Sequence, residues 1–144
     1  VHRKRLAQWP GLKTTCCNRF ANKAPEDSEG IKYLPKDKAH RNGISPTITR
    51  VSWNSNSGAA AISVAAHFGV KQILLLGFDM SLDKKKVSHW HGHHGKKRSP
   101  PFQRHLKGFP FIAKDAKNRG IQILNVSPKS AIPDLKKVSL SDVL

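Results

Sequence analysis

The sequence predicts a single α/β domain, half of a doubly wound fold, with a mainly parallel sheet flanked by helices. Two observations carry this prediction. Residues 56–79 read NSGAAAISVAAHFGVKQILLLGFD, a small-residue turn followed by an alanine-rich helical stretch, a glycine turn and an apolar strand. A second helical stretch, Phe109–Arg119, leads through Gly120 to the apolar segment Gln122–Asn125. Continuous apolar strands alternating with helices are typical of a parallel sheet.

The first part of the chain is weakly patterned. It holds two short candidate strands, Lys13–Cys17 and Ile31–Leu34, each next to glycine or proline. Residues 1–50 are therefore expected to be an irregular basic part of one domain spanning 1–144. Residues 51–144 are expected to form its core.

The core begins with a helix and a strand. Asn56 or Ser57 can cap a helix at about 58–68, because both side chains accept hydrogen bonds from free N–H groups. The unbroken apolar run Gln72–Leu76 then predicts a central parallel strand that is covered on both faces. The covering elements would be this helix and the one at 109–119.

Composition points to an anionic partner. The 144 residues include 26 Lys and Arg but only 9 Asp and Glu, which gives a formal net charge of +17. Such a field favours nucleic acid, nucleotides or phosphates, although a merely solvated basic surface explains it equally well. The adjacent Cys16 and Cys17 do not indicate a secreted disulfide framework, and no apolar run is long enough to span a bilayer. We therefore expect a reducing, intracellular setting and no membrane partner.

Polar residues follow the predicted turn and strand. Asn56, Ser57 and Gly58 would begin the helix, whose N–H groups and dipole favour a phosphate, and Gly58 would let a ligand approach the backbone. An ordinary helix cap explains the same residues. Asp79 follows the strand, where it can bind a ribose hydroxyl, orient a catalytic group, act as a base or simply cap a turn. Ligands of open α/β sheets bind at the carboxyl edge of the sheet, and we expect Asn56, Ser57 and Asp79 to lie near one another there.

A long mobile loop is predicted at about 80–101, closing over a ligand. Its stretch KKKVSHWHGHHGKKR suggests several functions. Alternating histidines suit a metal but lack a fourth ligand, so no metal is expected. His89 or His91 can act as a general base, and Trp90 can stack on a nucleobase beside a cationic phosphate clamp. A solvated loop without function is the remaining interpretation. The clamp would consist of Lys84, Lys85, Lys86, Lys96, Lys97 and Arg98.

Three motifs together resemble a known group of proteins. They are NSGxxAIxxAxxFGxKxIxLLGFDM, then SHW-H, then GIxILNxSPxSAI. The pattern covers about residues 50–144 and resembles phage and prophage Rossmann-like proteins, some labelled norphogenetic. It is similar, more distantly, to bacterial single-domain sialyltransferases and to the 6-hydroxymethylpterin diphosphokinase family. Relatives begin with a strand and a Gly-Pro-Ser-type turn that residues 1–50 do not contain. The resemblance therefore implies an incomplete Rossmann-like domain, located in the bacterial host cytoplasm or the virion.

The resemblance also implies a function. In sialyltransferase-like relatives, the Ser-Gly turn and the Ser-Pro segment contact a cytidine nucleotide, a lid histidine is the base, and no metal or other cofactor is needed. The expected function is glycosyl transfer from a nucleotide sugar. The alternative is a non-catalytic basic phage protein that binds nucleic acid or a virion protein. Carried over, the nucleotide contacts would be Asn56, Ser57, Gly58, Asn125, Ser127 and Ser130, with His89 or His91 as base and Asp79 beside the site.

Overall fold

The computed structural model describes residues 8–22, 30–82 and 101–144. Its mixture of helices and parallel strands confirms a small α/β fold. Within these ranges, no helix is long and apolar enough to cross a membrane. The elements are β1 (Lys13–Thr15), β2 (Ile31–Tyr33), α1 (Ser57–His67), β3 (Gln72–Leu75), α2 (Phe102–Leu106), α3 (Phe109–Asn118), β4 (Gln122–Asn125) and β5 (Lys136–Lys137), with 3-10 turns at Asn18–Phe20 and Leu140–Asp142.

The strands form two parallel sheets. β1 pairs with β2, and an isolated parallel bridge beyond β2 joins Lys36 to Val51. The other sheet has the order β3–β4–β5, with Leu75 of β3 opposite Asn125 of β4. In the described part of the chain, β4 is therefore the middle strand and β3 lies at an edge.

The prediction that Gln72–Leu76 is a central strand is wrong for the described residues, in which β3 pairs with β4 alone. Ile73 and Leu75 face the helices, since both belong to or contact the same core cluster as residues of α1 and α3. The opposite face carries the exposed Gln72 and Gln122, whose side chains share a hydrogen bond of 2.7 Å. It also carries Leu74, which is half-buried, and Leu124, which is buried. Both helices thus pack on one face of the sheet, and an apolar run cannot reveal on which faces helices pack.

The two long helices agree with the sequence prediction. α1 begins after Asn56, whose Oδ1 accepts hydrogen bonds from the N–H groups of Gly58 and Ala59. α3 begins with Pro110 in its first turn, where a missing N–H costs nothing. Their buried residues, together with those of the sheet, form one core; the contributing side chains include Ala59, Ile62, Ala66, Leu75, Phe109, Ile112, Ala116, Ile121, Ile123 and Ile132.

The segment before α1 is held in place by polar side chains rather than by a sheet. Asn54 is only 1% exposed; it accepts a hydrogen bond from the Gly43 N–H at 2.7 Å and donates to the Gly43 carbonyl at 3.0 Å. Its side chain also lies against Gly108, where an added Cβ would come within 2.8 Å of Asn54 Oδ1. From α3, Asp115 accepts from the Ile44 N–H at 2.8 Å. This polar hub fastens an irregular segment to α3.

Candidate functional site

The loop after β3 is tied to the loop after β4. The Phe78 N–H donates to Ser127 Oγ at 3.0 Å, and Ser130 Oγ donates to the Phe78 carbonyl at 2.6 Å. The Ala131 N–H donates to the Asp79 carbonyl at 2.7 Å. Both serines are buried, so their hydroxyls position the Phe78 loop. Any ligand contact that they make must compete with these bonds.

Phe78 connects the loops after β3 and β4 to the start of α1. A Cβ added at Gly58 would come within 2.8 Å of Phe78 Cζ, so the ring lies directly over this glycine. The same ring packs edge-on against Phe109 of α3, with centroids 6.4 Å apart. The space that the missing Gly58 side chain leaves is therefore filled by Phe78. The sequence had suggested that this space is open to a ligand, and the structure shows that it is not.

The N–H groups at the start of α1 are largely occupied. Asn56, and not Ser57, is the N-cap, because its Oδ1 accepts from the N–H groups of Gly58 at 2.8 Å and Ala59 at 3.4 Å. Its Nδ2 lies 3.7 Å from Met80 Sδ. A phosphate at this helix start would have to displace the cap. Ser57 itself is exposed and keeps an available hydroxyl.

Asn125 ends the middle strand of the sheet with an unpaired polar group. It is fully buried, at 0% exposure, and its Oδ1 accepts from the Ser127 N–H at 3.0 Å. Its Nδ2 has no hydrogen-bond partner among the described residues. Buried amide donors are almost always paired in native proteins, so this group indicates a partner that the described residues do not supply.

Asp79 lies between two residues that contact the start of α1, Phe78 and Met80. Its side chain is exposed, and its neighbour Met80 contacts Asn56. Three residues other than glycine have left-handed backbone at this edge: Asn54 with φ 48°, Ser55 with φ 54° and Met80 with φ 51°. Such backbone costs free energy and is concentrated at functional sites.

The predicted lid lies mostly outside the described residues. His89 and His91, the proposed bases, fall in the undescribed range 83–100, as do all six cations of the proposed clamp. Their roles stay predictions. Within the described ranges, no group of three or more His, Cys, Asp or Glu side chains could hold a metal ion.

A cation–aromatic cluster escaped the sequence analysis. Lys36 Nζ lies 5.8 Å from the centre of the Trp53 ring, and Arg41 Cζ lies 5.2 Å from it. Arg41 also donates to Ser55 Oγ at 2.8 Å. Neither cation forms an ion pair with a carboxylate of the described residues, and Asp37, the nearest acid in sequence, pairs with His40. The basic run KDKAHR, with a tryptophan twelve residues beyond its end, was the only sequence signal.

A cleft of about 270 Å³ lies between the β1–β2 sheet and α1. Ser57, the exposed residue at the start of α1, lines it, so one predicted contact residue faces a real concavity. The other lining residues are Thr14, Thr15, Cys16, Leu34, Val51, Ala60, Ala61 and Val64.

Comparison of the chain with protein-family models, with curated proteins and with solved structures gave no match.

Proposed function

We propose that this chain binds a nucleotide sugar at the carboxyl edge of β3 and β4 and takes part in glycosyl transfer. The unpaired amide of Asn125 is the observation that carries the proposal. It lies at the end of the middle strand, and ligands of open α/β sheets bind outside the carboxyl ends of strands. A carbonyl, hydroxyl or phosphate oxygen of a nucleotide would satisfy it.

The surrounding residues have distinct roles in this proposal. Ser127 and Ser130 position the Phe78 loop, to which they are bonded. Ser57 offers its hydroxyl from the cleft, and Asp79 offers an exposed carboxylate from the loop after β3. The more distant resemblance to bacterial single-domain sialyltransferases supplies the remaining part, a base at His89 or His91.

Glycosyl transfer needs two things from such a site. The base removes a proton from the acceptor hydroxyl, whose oxygen then bonds to the anomeric carbon of the donor. The bond from that carbon to the nucleotide oxygen breaks, and the nucleotide leaves with the electron pair. The leaving phosphate gains negative charge, so cations must be fixed near it.

The proposal is tested by thermal shift and calorimetric titration with CMP, CDP, UDP and their sugars. A bound nucleotide raises the melting temperature by linkage. Asn125→Ala should weaken the tightest ligand about three- to tenfold, the loss of one neutral hydrogen bond. Gln122→Ala, on the opposite face of the same strand, is the matched control and should change nothing. If no nucleotide shifts the wild-type melting temperature, the proposal fails.

A second candidate function is nucleic-acid binding without catalysis. The net charge of +17 and the two cations without carboxylate partners favour it.

A further inference from the structure

We propose that Lys36 and Arg41, held against Trp53, form a phosphate-binding site beside the cleft next to α1. The inference rests on the proposed function only in assigning that phosphate to a nucleotide. The cluster of Lys36, Arg41 and Trp53 is called the Trp53 cluster below.

The usual phosphate donors of a helix start are occupied in α1. A phosphate at a helix start is bound by free N–H groups. In α1, Asn56 Oδ1 already accepts from the N–H groups of Gly58 and Ala59, and the ring of Phe78 covers Gly58. A metal-independent site must then take its positive charge from side chains.

The two cations of the Trp53 cluster are held in place and are not neutralised by a carboxylate of the described residues. Lys36 and Arg41 both lie within 6 Å of the Trp53 ring centre, and neither has a carboxylate partner in the described chain. Cations kept over a ring lose conformational freedom before a ligand arrives, which lowers the cost of binding. Ser55 Oγ fixes the guanidinium of Arg41 further by accepting from Nη2 at 2.8 Å. The remaining N–H groups of the Arg41 guanidinium form a planar fork that matches two phosphate oxygens.

The Trp53 cluster lies close in sequence to residues that line the cleft. Lys36 follows Leu34 by two residues, and Trp53 follows Val51 by two; Leu34 and Val51 both line the 270 Å³ cleft. The bridge between Lys36 and Val51 makes the two stretches parallel. Alternate residues of extended backbone share a face, so Lys36 and Trp53 adjoin the lining residues Leu34 and Val51 without lining the cleft themselves. Arg41 lies over the same Trp53 ring and donates to Ser55, which precedes the cleft residue Ser57 by two positions.

The size of the cleft favours a small ligand over a polymer. Pockets for small molecules begin at roughly 300 Å³, close to the volume of this cleft. A nucleoside in the cleft would carry its phosphates towards the Trp53 cluster. The ligand class is therefore a nucleotide, with its phosphate or diphosphate on Lys36 and Arg41.

The test uses inorganic pyrophosphate, CDP and cytidine as calorimetric probes of the full chain. The double variant Lys36→Gln/Arg41→Gln should bind pyrophosphate and CDP at least tenfold more weakly while leaving cytidine unaffected, because charge-assisted bonds go to phosphate alone. The control Lys114→Gln/Lys117→Gln removes the same charge from exposed positions of α3 and should change affinity less than twofold. In the wild type, pyrophosphate should also protect Arg41 from phenylglyoxal, a readout that needs no variant.

Each outcome is decisive. If pyrophosphate binds and only the Trp53 cluster variant loses it, the phosphate site is supported even where no nucleotide binds, and only the proposed function then fails. Equal losses in both double variants mean that net charge acts without a site, and overturn the inference. So does a wild type that binds no pyrophosphate and shows no protection of Arg41. If the Lys36→Gln/Arg41→Gln variant loses binding to a single-stranded oligothymidylate but keeps its affinity for pyrophosphate and CDP, the Trp53 cluster is a nucleic-acid surface and the nucleotide site is overturned.

Discussion

Asp37 shows how a single buried carboxylate organises the segment before α1. Ser45 Oγ donates to it at 2.7 Å and the His40 N–H donates at 3.0 Å. The hydrogen bond from Ser45, followed by that from the His40 backbone, lowers the pKa of Asp37 below its usual value of 3.8. These bonds favour the charged form, so protonation of the carboxyl weakens them.

This pKa shift predicts a stability that depends on pH. Because the folded pKa of Asp37 is lowered, its stabilising contribution is present above the unfolded pKa of about 4 and is lost as the pH falls through the folded value. Asp37→Asn should therefore lower the free energy of unfolding at pH 7, and the difference from wild type should shrink towards pH 3. Urea denaturation across this range measures it. The control is Asp134→Asn, which removes an exposed carboxylate. A difference in unfolding free energy between wild type and Asp37→Asn that stays constant with pH would contradict the prediction.

The contact between α1 and the loop after β3 depends on a residue without a side chain. Gly58→Ala should destabilise the fold by roughly 1–3 kcal/mol, because the new Cβ would meet the Phe78 ring and overpack the contact. Helix propensity alone predicts the opposite sign, a gain of about 1 kcal/mol. Urea denaturation separates the two. Ser57→Ala at the neighbouring exposed position should change stability little, and Phe78→Leu should restore the Gly58→Ala variant. A stabilised Gly58→Ala protein would show that the ring moves aside freely.

At this scale, local signals were predictable and non-local ones were not. The bounds of α1 and α3 followed from caps, alanines and glycines, which act within a few residues. The position of β3 in its sheet did not follow, because strand order depends on pairing with residues about 50 positions away, such as Gln122. The Trp53 cluster was missed for the same reason, since Lys36 meets Trp53 only through the bridge to Val51. Ser127 and Ser130 were named only through the family resemblance, as nucleotide contacts, and their bonding to Phe78 was not visible in the sequence.

Over the whole molecule, the net charge of +17 predicts salt-sensitive binding if nucleic acid is the partner. Log affinity for a single-stranded oligonucleotide should fall with log salt by about 0.7 per neutralised phosphate. Titrations by fluorescence anisotropy at several salt concentrations give this slope. Replacement of the six lid cations by serine should flatten it; the positions are Lys84, Lys85, Lys86, Lys96, Lys97 and Arg98.

The matched comparison is the Lys36→Gln/Arg41→Gln variant, which removes charge from the Trp53 cluster instead. A slope that six serines leave unchanged would place any nucleic-acid contact outside the lid. A slope near zero in the wild type would mean that the charge only keeps the protein soluble.

The contact of Asn54 with Gly108 restricts which sequences this fold can reach. A Cβ at 108 would collide with the Asn54 side chain, including its own Cβ at 2.9 Å, so alanine fits at 108 only where 54 is glycine. Glycine also suits the left-handed backbone at position 54, but it lacks the side chain that forms hydrogen bonds with the Gly43 N–H and carbonyl. Neither substitution is neutral by itself. The two positions therefore form an epistatic pair, open to change in one order only, with glycine at 54 preceding any larger residue at 108.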